Sequence, residues 1–127
     1  MFVYYNNNPF KRHVNDCSVR AIALATNRSW NLTYKELSDY AREEGITFSE
    51  VEFINEYLSR RYPRYCEKER DKVVTVGDFS DLKLKGRWLC TMGGHITCVI
   101  DGVIYDTFDP SERYLWCAYY VGEENNK

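Results

Sequence analysis

The segment that most constrains this chain runs from Asn15 to Ala25, where five consecutive apolar residues, 21–25, follow closely after a cysteine. A helix without a polar residue over five positions has no obvious solvent face, so the pattern predicts a helix that runs through the core. Asn15 or Asp16 is expected to cap it, because a short side-chain oxygen accepts a hydrogen bond from the free N–H groups of the first turn. Cys17 would then lie in that turn, where the positive end of the helix dipole favours a thiolate. We therefore expect Cys17 to be a nucleophile.

Length, charge and cysteine content limit the class of protein. The 127 residues can bury one core, so we expect a single domain over 1–127. The net charge of −2 comes from interspersed acids and bases, which argues against a nucleic-acid partner. No apolar stretch approaches the roughly 18 residues of a membrane span, and the start of the chain is not a signal peptide. Five cysteines without a CxxC pair do not suggest a disulfide framework. We expect a cytoplasmic protein with no membrane partner.

Two further helices are predicted after the first. Thr33 and Glu36 make a capping box that marks the start of one, and Gly45 marks its end. A second capping box, Ser49 with Glu52, starts the next helix, which stops at Pro63.

The second half of the chain has the pattern of strands, with a turn or a single helical turn at 77–82. The predicted strands are 73–76, 87–92, 95–100, 103–108 and 113–121. Asp101 and Gly102 form a favoured two-residue turn, which places Val99 opposite Ile104 in a hairpin. Helices followed by an antiparallel sheet make an α+β domain.

His95 opens one of these strands directly after two glycines. Because side chains alternate along a strand, the hairpin register puts Asp106 diagonal to His95 on the same face, close enough to orient its imidazole. Asp109 has the wrong parity unless a bulge intervenes, and the same alternation turns Cys98 towards the core. A thiol at a helix start, an imidazole on a sheet and an acid beside it make a set of nucleophile, base and orienting group.

At these residues the chain resembles the papain-like cysteine peptidases, especially their small bacterial and bacteriophage members. The segment from Asp16 to Ala21 is similar to the nucleophile helix of that family, and the segment from Gly94 to Thr97 is similar to its histidine strand. Asp106, followed by Thr107 and Phe108, stands where the family has an Asn or Asp followed by a small residue and an aromatic. The order Cys, His, Asp and the placement of helices before strands also match, so the resemblance covers most of the chain.

The resemblance implies a papain-like α+β fold and a cysteine-dependent hydrolase that cleaves a peptide or other amide bond in a protein or peptide substrate. His95 would take the thiol proton, and Cys17 would attack a carbonyl to give a thioester that water hydrolyses. Asp106 would hold the imidazole tautomer and stabilise its charged form. No cofactor is implied.

One position departs from the family pattern. The family usually has a glutamine shortly before its cysteine, which donates to the oxyanion, and Lys11 stands there in this chain. Lys11 or Asn15 could supply the donor instead, and losing one such donor costs about 10²–10³ in rate. Two alternatives therefore stay open. One is an inactive papain-fold protein that binds a protein partner, and the other is a peptidoglycan amidase, which the missing signal peptide disfavours.

Other polar residues have simpler interpretations. Cys90, His95 and Cys98 match no common zinc spacing, and strand alternation separates His95 from Cys98, so we expect no metal site. His13, four residues before Cys17, is expected to be a solvated loop histidine. Asp109 precedes a proline and is expected to be a turn residue.

Overall fold

The computed structural model describes residues 1–46, 51–65 and 72–123, without the side chains of residues 51 and 52. Within these ranges the chain forms four helices and five strands. In chain order they are β1 (Phe2–Tyr4), α1 (Cys17–Thr26), α2 (Trp30–Glu44), α3 (Val51–Ser59), α4 (Val76–Asp81), β2 (Arg87–Met92), β3 (His95–Ile100), β4 (Val103–Asp106) and β5 (Cys117–Gly122). The α+β class expected from the sequence is confirmed.

The five strands make one sheet in the order β1-β4-β3-β2-β5. Neighbouring strands are antiparallel except β1 and β4, which run parallel. The expectation of an antiparallel sheet is therefore wrong at one edge, and the sheet is mixed. The strand β1 has only three residues, which is too short to show an alternation of side chains. It pairs with β4, with Phe2 opposite Ile104, so its formation depends on residues near the other end of the chain.

The hairpin of β3 and β4 has the register that the sequence predicts. Val99 lies opposite Ile104, and Asp101 and Gly102 have positive φ angles of 51° and 83°. Two successive left-handed residues form the two-residue turn whose twist matches that of the flanking strands. The same register brings Asp106 beside the start of β3, and β4 ends there, two residues earlier than predicted.

The sheet carries an apolar core on each side, because side chains alternate along its strands. On one side α1, α2 and α3 pack over strand residues that include Leu89, Ile96 and Cys98. On the other side Phe79 of α4 packs in a cluster with Val99. Cys98 is fully buried, which confirms its prediction as a core residue.

The helix α1 is the buried central helix that the apolar run predicts, with Val19 and Ile22 deep in the core. Asp16 lies at its N-cap, but the side chain makes no capping hydrogen bond, contrary to expectation. Its carboxylate instead accepts a hydrogen bond of 2.7 Å from Nε of Arg20, one turn along the helix. The carboxylate therefore takes part in tertiary contacts rather than in a local cap.

The helix α2 begins at Trp30 rather than at the predicted capping box of Thr33 and Glu36. Ser29 is its N-cap, and the serine hydroxyl accepts a hydrogen bond from an N–H of the first turn. Both serine and threonine can cap a helix, and here the earlier residue does so. Gly45 ends α2 in the left-handed conformation, as predicted.

The helix α3 ends at Ser59, before the predicted stop at Pro63 is reached. The capping box expected at its start, Ser49 with Glu52, lies outside the side chains that the structure describes. None of the helices in the described ranges has both the length and the apolar character that crossing a bilayer requires.

The predicted strand at 73–76 is wrong, since the structure shows only an isolated bridge at Thr75. Thr75 is the N-cap of α4 and forms a capping box with Asp78, so local capping outweighs the strand preference of the β-branched residues. The turn expected at 77–82 belongs to this short helix. The last strand, β5, starts at Cys117, later than predicted.

Candidate active site

The N terminus of α1 meets the first residue of β3. Cys17 is the first residue of α1 and is half-buried, and its thiol lies close enough to the His95 ring and to the backbone N–H of Ile96 for both to lower the pKa of the thiol. The two residues that the sequence predicts as nucleophile and base are therefore in contact.

His95 is also in contact with the predicted orienting acid. Its Nε2 lies 2.7 Å from Oδ2 of Asp106, and both side chains are buried. This leaves Nδ1 as the ring nitrogen for the Cys17 sulfur. The contact follows from the hairpin register, which puts the two side chains on one face of neighbouring strands.

The contacts shift the pKa values of both partners. Burial opposes ionisation of Cys17, but the hydrogen bond and charge of His95, the N–H of Ile96 and the charge of Arg20 outweigh it, so the pKa of the thiol lies below its ordinary value. Burial also disfavours the charged form of His95, whereas hydrogen bonds and charges from Asp106 and Cys17 raise its pKa to about 9. Near neutral pH these shifts favour a thiolate beside an imidazolium.

Both carboxylate oxygens of Asp106 have hydrogen-bond partners. While Oδ2 faces His95, Oδ1 accepts hydrogen bonds from the N–H of Thr107 at 2.7 Å and from Nη1 of Arg20 at 3.2 Å. Burial alone would raise the pKa of this carboxyl, but the hydrogen bond and charge of His95 lower it below its ordinary value. A carboxylate in this state can stabilise an imidazolium.

Arg20 belongs to this cluster, although no role was predicted for it from the sequence. Its guanidinium contacts the carboxylates of Asp16 and Asp106. The available signal was an arginine in a helix that is otherwise apolar from Val19 to Ala25. A buried guanidinium requires a carboxylate partner, but the sequence could not show that one of the partners is the orienting acid.

A groove of about 290 Å³ opens over the thiol, and Cys17, His95, Asn15 and Phe108 are among the residues that line it. A larger depression, of about 420 Å³, lies between α1, α2 and α3, and the described residues that line it include neither cysteine nor histidine. Chemistry rather than size therefore identifies the smaller groove as the candidate active site.

The two residues considered as oxyanion donors differ in position. The Lys11 ammonium donates a 2.8 Å hydrogen bond to the carbonyl of Asn6, and Lys11 is not among the described residues that line the groove. Asn15 lines the groove beside Cys17. His13 is exposed, as expected, and lies on the rim of the same groove.

The ring of Phe108 packs against the imidazole of His95. Its ring centroid lies 4.7 Å from that of His95, at an interplanar angle of 45°. The guanidinium of Arg113 lies 5.1 Å from the centroid of the Phe108 ring. The phenyl ring therefore covers part of the His95 ring.

The remaining candidate residues lie apart from the thiol. Asp109 accepts hydrogen bonds from the N–H and the hydroxyl of Ser111, which confirms its prediction as a turn residue. Burial raises the pKa of the Cys98 thiol to about 12. In the part of the chain that the structure describes, no group of three or more His, Cys, Asp or Glu side chains is arranged to hold a metal ion.

Comparisons of this chain with protein-family models, with curated proteins and with solved structures found no match.

Proposed function

We propose that this protein is a cysteine-dependent hydrolase of papain-like fold that cleaves a peptide or other amide bond. The observation that carries the proposal is the continuous set of contacts from Cys17 through His95 to Asp106. The pKa shifts of Cys17 and His95 support it, because both favour a thiolate beside an imidazolium.

In the proposed reaction the Cys17 thiolate attacks the substrate carbonyl carbon, and the carbonyl oxygen becomes an oxyanion. When this intermediate collapses, the C–N bond breaks and the imidazolium of His95 gives its proton to the departing amine. Neutral His95 then takes a proton from water, which attacks the thioester. The resulting intermediate collapses, the C–S bond breaks, the carboxylic acid product leaves, and the pair of Cys17 thiolate and His95 imidazolium is restored. Asp106 holds the imidazole throughout and remains ionised.

The oxyanion needs hydrogen-bond donors in the groove. The N–H of Cys17 lies in the first turn of α1, where backbone N–H groups have no acceptor within the helix. Asn15 lines the same groove, and its side-chain amide is the proposed second donor. In this proposal Asn15, rather than Lys11, takes the role of the family glutamine.

A papain-fold protein that binds a protein partner without turnover is the second candidate. The observation that favours it is Lys11, which stands at the position of the family glutamine while its ammonium is bonded to Asn6. The hydrolase would cleave its substrate repeatedly, whereas the binding protein would hold its partner without cleaving it.

Alkylation of the thiols tests the proposed site. The protein is treated with iodoacetamide near pH 6.5, and each cysteine is followed by peptide mapping. We expect Cys17 to react at least about tenfold faster than Cys117, which is also half-buried and serves as the internal control. His95→Gln should remove this preference, because the imidazolium that stabilises the thiolate is lost. Equal rates at Cys17 and Cys117 in the unaltered protein would overturn the proposed site.

Turnover is tested with two substrates, denatured protein and purified peptidoglycan, by measuring the release of new amino groups. Cys17→Ser is the matched control, because it replaces only the sulfur. Release from denatured protein that Cys17→Ser abolishes supports a peptidase, and release from peptidoglycan alone supports an amidase. A fast-reacting Cys17 without release from either substrate would favour the binding protein.

A further inference from the structure

We propose that Arg20 is a positioning residue of the active site, whose guanidinium fixes the rotation of Asp106 and ties that carboxylate to the helix that carries Cys17. The inference rests on the proposed function of Cys17. Arg20 is one of the residues that line the groove, but it neither forms nor breaks a bond in the proposed reaction.

The two oxygens of Asp106 have separate partners. Oδ2 lies 2.7 Å from Nε2 of His95, and Oδ1 accepts from Nη1 of Arg20 at 3.2 Å and from the N–H of Thr107 at 2.7 Å. A carboxylate bonded through a single oxygen can turn about its Cβ–Cγ bond. The two donors on Oδ1 oppose that rotation, so Oδ2 stays directed at the imidazole.

Arg20 is itself fixed from the opposite side. Its Nε donates a 2.7 Å hydrogen bond to Oδ1 of Asp16, and Oδ2 of Asp16 accepts from Asn8 at 3.1 Å and from the indole N–H of Trp30 at 2.9 Å. Asp16 therefore cannot turn away without breaking contacts to two other segments. The planar, forked guanidinium suits this task, because its separate N–H groups reach two carboxylates at once.

The burial of this cluster makes the charge of Arg20 important. The side chains of Arg20, Asp16 and Asp106 are 11%, 7% and 1% exposed. Charges interact more strongly in such surroundings than in water. Loss of the cation should therefore change the protonation of the neighbouring groups as well as their geometry.

Loss of the Arg20 charge should raise the pKa of Cys17 and the pKa of His95. Without the positive charge of Arg20 the thiolate of Cys17 is less stable, so the pKa of the thiol rises. The charge of Asp106 is then less well compensated and attracts the proton of His95 more strongly, so the pKa of the ring also rises. We expect both titration steps of the pair to move to higher pH together.

The other charged groups near the pair of Cys17 and His95 are retained in every Arg20 variant. Asp16 lines the groove from the start of α1, and Arg12 and His13 line it from the loop that precedes α1. The guanidinium of Arg113 lies over the Phe108 ring. The comparison of variants therefore isolates the charge of Arg20.

The experiment measures the rate of Cys17 alkylation by iodoacetamide between pH 5 and pH 10, with peptide mapping, in the unaltered protein and in three variants. In Arg20→Gln, which removes the charge but keeps a donor, we expect both inflections to move up by about half to one pH unit, so that the rate at a pH below the first inflection is about three- to tenfold lower. In Arg20→Lys, which restores the charge, the inflections should return towards those of the unaltered protein. Arg42→Met is the matched control, because Arg42 also bonds an aspartate but is exposed.

Circular dichroism and thermal melting of every variant separate a loss of fold from a change in titration. A folded Arg20→Gln with unmoved inflections would show that Arg20 only stabilises the structure. If Arg20→Gln does not fold, Arg20→Lys decides, since inflections displaced upward despite the retained charge would overturn the inference and unmoved ones would support it. Slow alkylation of Cys17 at pH 6 in the unaltered protein would instead refute the proposed function.

Discussion

Two thiols of this chain show how strongly a few contacts determine reactivity. Cys98 is fully buried among apolar side chains, and burial raises its pKa to about 12. Cys17 is half-buried, and it has an imidazole, a backbone N–H and a nearby guanidinium, which lower its pKa. The two thiols therefore differ in their neighbours as well as in their burial, and both differences make Cys17 the better nucleophile at neutral pH.

The charge of Asp106 accounts for much of the raised pKa of His95, which gives a prediction at the scale of one residue. In the unaltered protein we expect the His95 ring to lose its proton near pH 9. Asp106→Asn removes the carboxylate that stabilises the charged ring, so the ring should lose its proton at lower pH. The chain has two histidines, so NMR titration of the ring C–H signals, assigned with a His13→Gln variant, measures the effect directly.

Asp109→Asn is the control for this titration, because Asp109 bonds Ser111 within its own turn. It should leave the titration of His95 unchanged. If Asp106→Asn titrates at the same pH as the unaltered protein, Asp106 does not stabilise the imidazolium.

Among the elements, the hairpin of β3 and β4 has the greatest influence on the site, because it carries both His95 and Asp106. Its turn requires glycine at position 102 for two reasons. The φ angle of Gly102 is +83°, and a Cβ there would lie 2.9 Å from the Cα of Lys83. The positive φ angle would strain the backbone of any other residue, and the added Cβ would collide with the main chain of another segment.

Gly102→Ala and Gly45→Ala separate these two effects. Gly45 ends α2 with a φ of +75°, but a Cβ at this position would meet no heavy atom of the described residues within 4 Å. We expect Gly45→Ala to lower the free energy of unfolding by about 1 kcal/mol, the cost of the left-handed backbone. Gly102→Ala should lower it by about 2–4 kcal/mol, because the collision adds to that cost. Urea unfolding measures both, and equal losses would contradict the collision.

The elements that could be predicted from sequence are those with a local signal. The apolar run of α1, the two-residue turn at Asp101 and the short strand segments β2 and β3 are all contained within a few residues. The start of α2 was misplaced because Ser29 and Thr33 are both capping residues, and only tertiary packing chooses between them. The edge strand β1 could not be predicted, because three residues form a strand only when β4 is already beside them.

At the scale of the whole molecule, one network of polar side chains joins segments that are far apart in sequence. Asp16 bonds Asn8 in the N-terminal loop, Trp30 of α2 and Arg20 of α1, and Arg20 in turn reaches Asp106 of β4. The proximity of Cys17, His95 and Asp106 could be predicted, because the order of these residue types and the hairpin register bring them together. The network around them could not, because no local pattern connects an arginine to a carboxylate on a distant strand.

Asp16 therefore has a role in stability as well as in the site, and this role depends on pH. Burial alone would raise the pKa of its carboxyl, but hydrogen bonds from Arg20, Asn8 and Trp30 outweigh burial and lower it. A group whose pKa is lower in the folded state stabilises the fold above its unfolded pKa of about 3.9, and this contribution is lost as the pH falls. The carboxylate should thus stabilise the protein at neutral pH and contribute nothing in strong acid.

Asp16→Asn tests this role, because it keeps the shape of the side chain but removes its charge. At pH 6 we expect the variant to have a free energy of unfolding about 1–3 kcal/mol below that of the unaltered protein, the usual contribution of hydrogen bonds to a charged group. Between pH 5 and pH 2.5 the difference should shrink, because only the unaltered protein has a charge at position 16 to lose. Urea unfolding at a series of pH values measures it, with Asp39→Asn as the control, since Asp39 pairs with Lys35 and Arg42 on the exposed surface of α2. A difference that stays constant over this pH range would show that the shape of Asp16, and not its ionisation, holds the three segments together.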